Sequence, residues 1–269
     1  MKFTKRLAKF MNILSAISFL LALVLNGLAN LLPINGLETG VISDTYANYF
    51  APIGLTFSIW AVIYTLLAMY VGWRLKHLNH DEDTPMNRHL FKLDFAFAIS
   101  SLANAGWILA WHYLQFPLSL ILMLILFAAL VYINLAFRGD QGLPTIPFRI
   151  YFGWITVATV ANITTMIVAD ANQYRWIWNG GEVSQQIMTT IILVITILIG
   201  VLTTIRQKDP FYGAVIVWAL LGIYLRHTVD LPSFGISGVA NTAFIGMIVA
   251  LMAIFWTIRK QIYKLIKKS

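Results

Sequence analysis

The chain has no cysteine in its 269 residues. Disulfides, thiolate catalysis and cysteine-ligated metal are thereby excluded. Charge is nearly as scarce. Asp, Glu, Lys and Arg make up 11% of the residues, against about a quarter in a soluble domain. With 59% of the residues hydrophobic, there is too little polar surface to cover a water-soluble globule. Most of the chain must be solvated by lipid. Also missing are a nucleophile–base pair, a His-Glu-x-x-His motif and a phosphate-cradling glycine loop, so no enzymatic activity is expected. The net charge of +8 does not imply nucleic acid, because the basic residues are spread over the ends of apolar segments and form no single patch.

What the chain does have is long apolar runs. A helix needs about 20 apolar residues to cross the roughly 30 Å hydrocarbon core. Eight stretches qualify, at about 10–32, 53–73, 91–113, 117–137, 148–169, 186–205, 211–227 and 236–258. None alternates with a period of two, which excludes a closed barrel and leaves the helix as the spanning backbone. The predicted fold is all-α, a polytopic transmembrane bundle of about eight spans. The first run exceeds the about 7–15 residues of a signal-peptide core and lacks a small-x-small cleavage site, so it reads as a span. The seventh is the shortest and most polar, ending in Tyr224, Arg226 and His227.

Of the 19 Lys and Arg residues, all but Arg175 and Arg226 fall at the two termini and in alternate gaps between the runs. Cytoplasmic loops carry the excess of Lys and Arg. Both termini are therefore predicted to be cytoplasmic, in a multi-pass protein of the plasma or inner membrane. The bilayer is its first partner, with the basic ends as lipid-headgroup contacts. Trp176 and Trp178 suit an interfacial belt.

The charge pattern also supplies a depth scale. At 1.5 Å per residue, Asn104 and Asn162 each sit about 14 residues, or roughly 21 Å, from the cytoplasmic starts of the third and fifth spans. Trp60 and Asn26, counted along their own spans, fall at a similar level. Helical spacing puts Ser100, Asn104, Trp107 and Trp111 on one face, Trp154, Ala158 and Asn162 on another, and Phe57, Trp60 and Tyr64 on a third. Two readings compete. Intramembrane asparagines often only bridge neighbouring helices, for about 0.6 kcal/mol. Aromatic walls with a few amide donors and acceptors are also the composition of a small-molecule pocket.

Three segments resemble a known family. Trp154, Ala158 and Asn162 match the offsets of the W-x-x-F-A-x-x-L-N signature of the TspO/MBR family, the tryptophan-rich sensory or translocator proteins. Leu102-Ala-Asn104-Ala-Gly-Trp107 is similar to its L-N-x-x-W. Pro52-Ile-Gly54-Leu-Thr-Phe57-Ser-Ile-Trp60-Ala-Val-Ile-Tyr64 is similar to its P-P-x-W-V-F-G-P-V-W-T-x-L-Y stretch. The earlier tryptophans of that stretch are absent here, and Phe57 to Trp60 is one residue shorter. The resemblance covers about 10–170, which divides the chain into a five-helix family-like part, 1–170, and three further helices with a basic tail, 171–269.

The resemblance implies a five-helix bundle whose pocket opens toward the loop between its first two helices. It implies a hydrophobic ligand, with porphyrin or haem-type tetrapyrroles among the family's ligands, and a sensory or carrier role. Carried over residue by residue, the ligand-facing set is Trp60, Tyr64, Asn104, Trp107, Trp154, Ala158 and Asn162. Family members commonly dimerise, so a homodimer is expected. A small-solute transporter gated by the last three helices, or a subunit of a membrane complex, are the alternative readings.

Two other features are read structurally. His77, His80, Asp81, Glu82 and Asp83 share one cytoplasmic loop, and a solvated loop is favoured over a divalent-metal site, so no metal is predicted. Asp94 is expected about one turn inside its helix, where the backbone dipole favours a carboxylate. Tags at the two termini are expected to report the same, cytoplasmic face in a protease-protection assay. Opposite faces would remove one span from the count.

Overall fold

The computed structural model describes residues 5–32, 34–77, 85–138, 144–174, 182–230 and 238–267. Among them are eight helices long and apolar enough to cross a membrane, at the places the apolar runs predict. The helices are α1 (Lys5–Leu31), the short α2 (Thr39–Thr45), α3 (Ile59–Lys76), α4 (Pro85–His112), α5 (Phe116–Ala136), α6 (Ile146–Tyr174), α7 (Glu182–Gln207), α8 (Pro210–Leu225) and α9 (Gly238–Ile266). The weak seventh run reaches spanning length because α8 continues into a π-helical turn, Arg226–Asp230, giving an apolar stretch over Pro210–Val229. His80, Asp81, Glu82, Asp83, Arg175, Trp176 and Trp178 lie outside the described residues.

The helix faces are sorted as a lipid solvent demands. On α1 the apolar Phe10, Ile17, Leu20, Leu21, Val24 and Leu28 are exposed, while Asn12, Ser15, Ser18 and Asn26 are buried. On α7, Ile187, Ile191, Ile195, Leu198 and Leu202 form an exposed stripe at helical spacing. Lipid accepts apolar side chains and offers no hydrogen bonds, so each polar group must find its partner inside the protein.

The chain forms two compact units that alternate along the sequence. The first takes Met1–Ile42 and Trp60–Phe148, the second Ser43–Ile59 and Arg149–Ser269. In the first, α4 packs on both α1 and α5. The α4–α5 turn is tight: Leu114 takes a left-handed φ of 57°, and Gln115 N–H closes on the Ala110 carbonyl at 2.8 Å. The first unit is pinned by a buried ion pair between α3 and α4. Arg74 Nη2 lies 2.6 Å from Asp94 Oδ2, with the two side chains 3% and 0% exposed. Tyr70 Oη donates to Asp94 Oδ1 at 2.8 Å, and Asn12 Nδ2 from α1 donates to the Arg74 carbonyl at 3.2 Å.

This corrects the expectation for Asp94. The helix begins at Pro85, so Asp94 is more than two turns in, and the dipole acts only over the first turn. Its charge is met by Arg74 and a phenol. Arg74, counted with the surface charges that orient the chain, is itself buried.

In the second unit α7, α8 and α9 pack on one another. The α7–α8 turn places Lys208 at a φ of 56°, and Asp209 then caps α8, its Oδ1 accepting from Phe211 N–H at 3.0 Å and Tyr212 N–H at 3.1 Å. Asp209 Oδ2 also lies 3.4 Å from Arg149 Nη1 of α6. Burial raises the Asp209 pKa above the ordinary carboxylate range, against the opposing pull of Arg149 and the two amides.

The segment 43–59 is strapped along α8. Ile53 N–H donates to the Gly222 carbonyl at 3.1 Å, and Trp218 Nε1 donates to the Thr56 carbonyl at 2.9 Å. Any side chain on Gly222 would collide with Thr56. Close backbone approach at small residues is the usual way membrane helices gain packing contact. At the far end, Arg226 Nη2 meets Asp44 Oδ1 at 2.8 Å. His227 Nε2 donates to the Tyr49 carbonyl at 2.8 Å, and the two rings stack at 5.8 Å.

Removing one member of a buried pair strands the other charge, at about 3–5 kcal/mol, whereas replacing both by apolar residues is nearly neutral. Asp94→Leu is thus expected to lower the thermal midpoint in detergent sharply. Arg74→Leu/Asp94→Leu should recover most of the loss. Equal losses in the single and double variants would assign the pair no coupling.

Candidate ligand-binding site

Four of the seven residues proposed to face a ligand meet in the first unit. Helical spacing turns Trp60 and Tyr64 of α3 to one side, and their rings stack at 5.3 Å with 17° between planes. Trp60 also stacks on Trp107 of α4, at 6.0 Å and 29°. Trp107 continues to Trp111 at 6.0 Å, and Trp111 meets the edge of Phe116 at 5.5 Å. The result is one row of rings: Tyr64, Trp60, Trp107, Trp111 and Phe116. Offset and tilted aromatic pairs of this kind contribute about 0.5–1.5 kcal/mol each beyond area burial.

The amides join this row at one depth. Asn26 Nδ2 of α1 donates to Asn104 Oδ1 at 2.9 Å. Asn104 and Tyr64 lie within 3.4 Å of each other through Tyr64 Oη and both ends of the amide. Asn104 is 1% exposed, and Trp60 and Tyr64 are half-buried. Trp107 is 6% exposed, yet its Nε1 has no hydrogen-bond partner among the described residues. A buried donor without an acceptor costs about 1–3 kcal/mol. It therefore marks a place where an acceptor is wanted.

Trp154, Ala158 and Asn162 lie on α6, in the second unit. Trp154 and Asn162 are buried, Ala158 is half-buried, and Trp154 takes the edge of Phe57 at 5.9 Å. The helical face that the sequence assigns to these three is present.

The two end-of-helix histidines are structural fasteners of separate units. His112 Nδ1 donates to the Ile34 carbonyl at 3.2 Å, its Nε2 lies 3.0 Å from Thr39 Oγ1, and its own carbonyl accepts from Asn35. His227 holds Tyr49, as described above. Among the described residues no group of His, Asp and Glu is arranged to hold a metal. Nothing in the sequence pattern singles out the partners Thr39 and Asn35. They sit in the short helical segments between the first two spans, Ile34–Gly36 and Thr39–Thr45, whose path hydropathy does not record.

If the Asn26–Asn104 bond is an ordinary interhelical contact, a double-mutant cycle of Asn26→Ala and Asn104→Ala should return a coupling of about 0.6 kcal/mol. Unfolding in mixed micelles would measure it. Zero coupling would separate the two amides energetically.

A family model described as TSPO-like protein matches residues 12–256, through all eight spans. No curated protein and no solved structure matches the chain.

Proposed function

The chain belongs to the TSPO-like protein family, and from that premise we propose that it binds a hydrophobic small molecule within the membrane and serves as a sensor or carrier for it. The observation that carries this reading is the buried Trp107 Nε1 donor beside the Asn26–Asn104–Tyr64 amide and phenol group. A ligand acceptor would satisfy the indole, and the half-buried rings of Trp60 and Tyr64 would contact an apolar face. Flat, aromatic tetrapyrroles have both features, a broad π-surface and polar edge groups, and are the ligand class to test first.

In this reading Trp60, Tyr64 and Trp107 stack on the ligand, and Asn104 orients its polar edge. Trp154, Ala158 and Asn162 enter by family resemblance. No chemistry is required of any of them. We infer that the protein sits in the plasma or inner membrane with both termini cytoplasmic, as its charge pattern suggests, and that it forms a homodimer, as the family resemblance implies.

Titrating protoporphyrin into the detergent-solubilised protein is expected to quench tryptophan fluorescence saturably. Trp107→Phe keeps a ring and deletes the donor. It should weaken binding by up to about tenfold, the worth of one hydrogen bond. Asn104→Ala and Trp154→Ala should also weaken it. No saturable quenching in the parent protein would remove the tetrapyrrole assignment.

A further inference from the structure

The second unit contains a cavity of about 280 Å³, walled by the 43–59 strap, α6 and the first turns of α7. It shares no residue with the aromatic row. We propose that this cavity is a second site, which takes a small uncharged amphiphile from the surrounding bilayer.

Four observations point there. First, among the described residues, none that lines the cavity is ionisable at neutral pH. The polar members are Asn48, Tyr49, Thr164, Gln185 and Thr189, and the remainder are aliphatic or Met188. A charged ligand would find no counter-charge among these residues, and burying one unpaired is costly. Second, the volume holds about nine groups of about 30 Å³ each, enough for the hydroxyl end and most of the chain of a ten-carbon alcohol, whose tip would reach the exposed rim at Met188. It is at the lower edge of the roughly 300–1,000 Å³ typical of small-molecule sites.

Third, polar groups in the wall have capacity to spare. Thr189 is 8% exposed. Its neighbours Thr190 and Thr196 bond back to carbonyls one turn earlier, at 2.8 Å each. Thr189 makes no such bond among the described residues. Asn48 Oδ1 is committed to Phe50 N–H, Ala51 N–H and Thr164 Oγ1, but its Nδ2 makes only two long contacts, at 3.4 Å, to Tyr46 O and Thr165 Oγ1. A hydroxyl or carbonyl on a ligand fits a hydroxyl and an amide N–H.

Fourth, the wall is held in place and its rim faces lipid. The Asn48 turn is fixed by those three donors, and Tyr49 by His227. Met188 is 42% exposed, beside the exposed apolar stripe of α7. Methionine is well suited to adapt to variable apolar cargo.

The test uses the full chain in phosphatidylcholine nanodiscs, photolabelled with a diazirine-bearing decanol and mapped by peptide mass spectrometry. Saturable adducts are expected within 164–168 or 185–192, competed away by unlabelled decanol. Thr189→Val should weaken labelling about fivefold, the worth of one hydrogen bond. Ile192→Trp should weaken it further by taking up part of the cavity. Trp107→Phe should leave it unchanged, which keeps this site separable from the aromatic row. Labelling spread evenly over lipid-facing positions, or insensitive to decanol, would overturn the proposal. So would preferential labelling of the same residues by a diazirine phospholipid that decanol does not displace, since an annular lipid would then be the occupant. The competition in the parent protein decides the matter even if a variant fails to fold.

Discussion

A polar group inside a hydrocarbon solvent has to be answered by the protein itself, and the fold of each unit follows from how that is done. In the first unit the largest debt is the Asp94 carboxylate on α4. Arg74 and Tyr70, one helical turn apart on α3, meet it together. Asn12 of α1 then uses the Arg74 carbonyl. Three helices are fixed in rotation and height by this one cluster. The same registration brings Asn26, Tyr64 and Asn104 within hydrogen-bonding range further along those helices. The aromatic row is thus positioned by an ion pair at the other end of the bundle.

The second unit solves the same problem with a strap. Residues 43–53 are too polar and too interrupted to span, yet together with the start of the second span they run along α8. Their backbone groups are satisfied there by Gly222, Trp218 and His227, and Asp44 is met by Arg226. The polar end of the seventh run, weak as a membrane signal, is where this strap is fastened. Arg226 and His227 are retained in that run because the strap needs a cation and a ring donor at that height. The glycine at 222 is required for a different reason: Thr56 occupies the space a side chain would take.

Two kinds of polar residue can be distinguished by their partners. Asp94, Asp209, His112 and His227 are saturated by protein groups and serve the architecture. Trp107 Nε1 is buried with no hydrogen-bond partner among the described residues, and Thr189 lines the cavity of the second unit. A buried polar atom without a partner is costly wherever it occurs, and Asn12 Oδ1 of the framework cluster shares that state with Trp107 Nε1. The aromatic rings alone do not make the distinction, because stacked rings pack a core as well as they line a ligand.

The sequence by itself determined the solvent, the helical class and the eight spans, because apolar length and charge spacing are local quantities and the bilayer thickness sets their scale. It also brought Asn26, Trp60, Tyr64, Asn104 and Trp107 into one argument, since helical period and depth are arithmetic along each helix. Pairing between helices is not. Asp94 could not be matched to Arg74 from spacing, because the partner is chosen by helix rotation and tilt, which depend on packing over whole faces. For the same reason the strap on α8, the division into units that alternate along the chain, and the cavity beside α7 were decided only by the tertiary structure. They arise from close contacts between segments far apart in sequence, such as Thr56 against Gly222, that no single segment encodes.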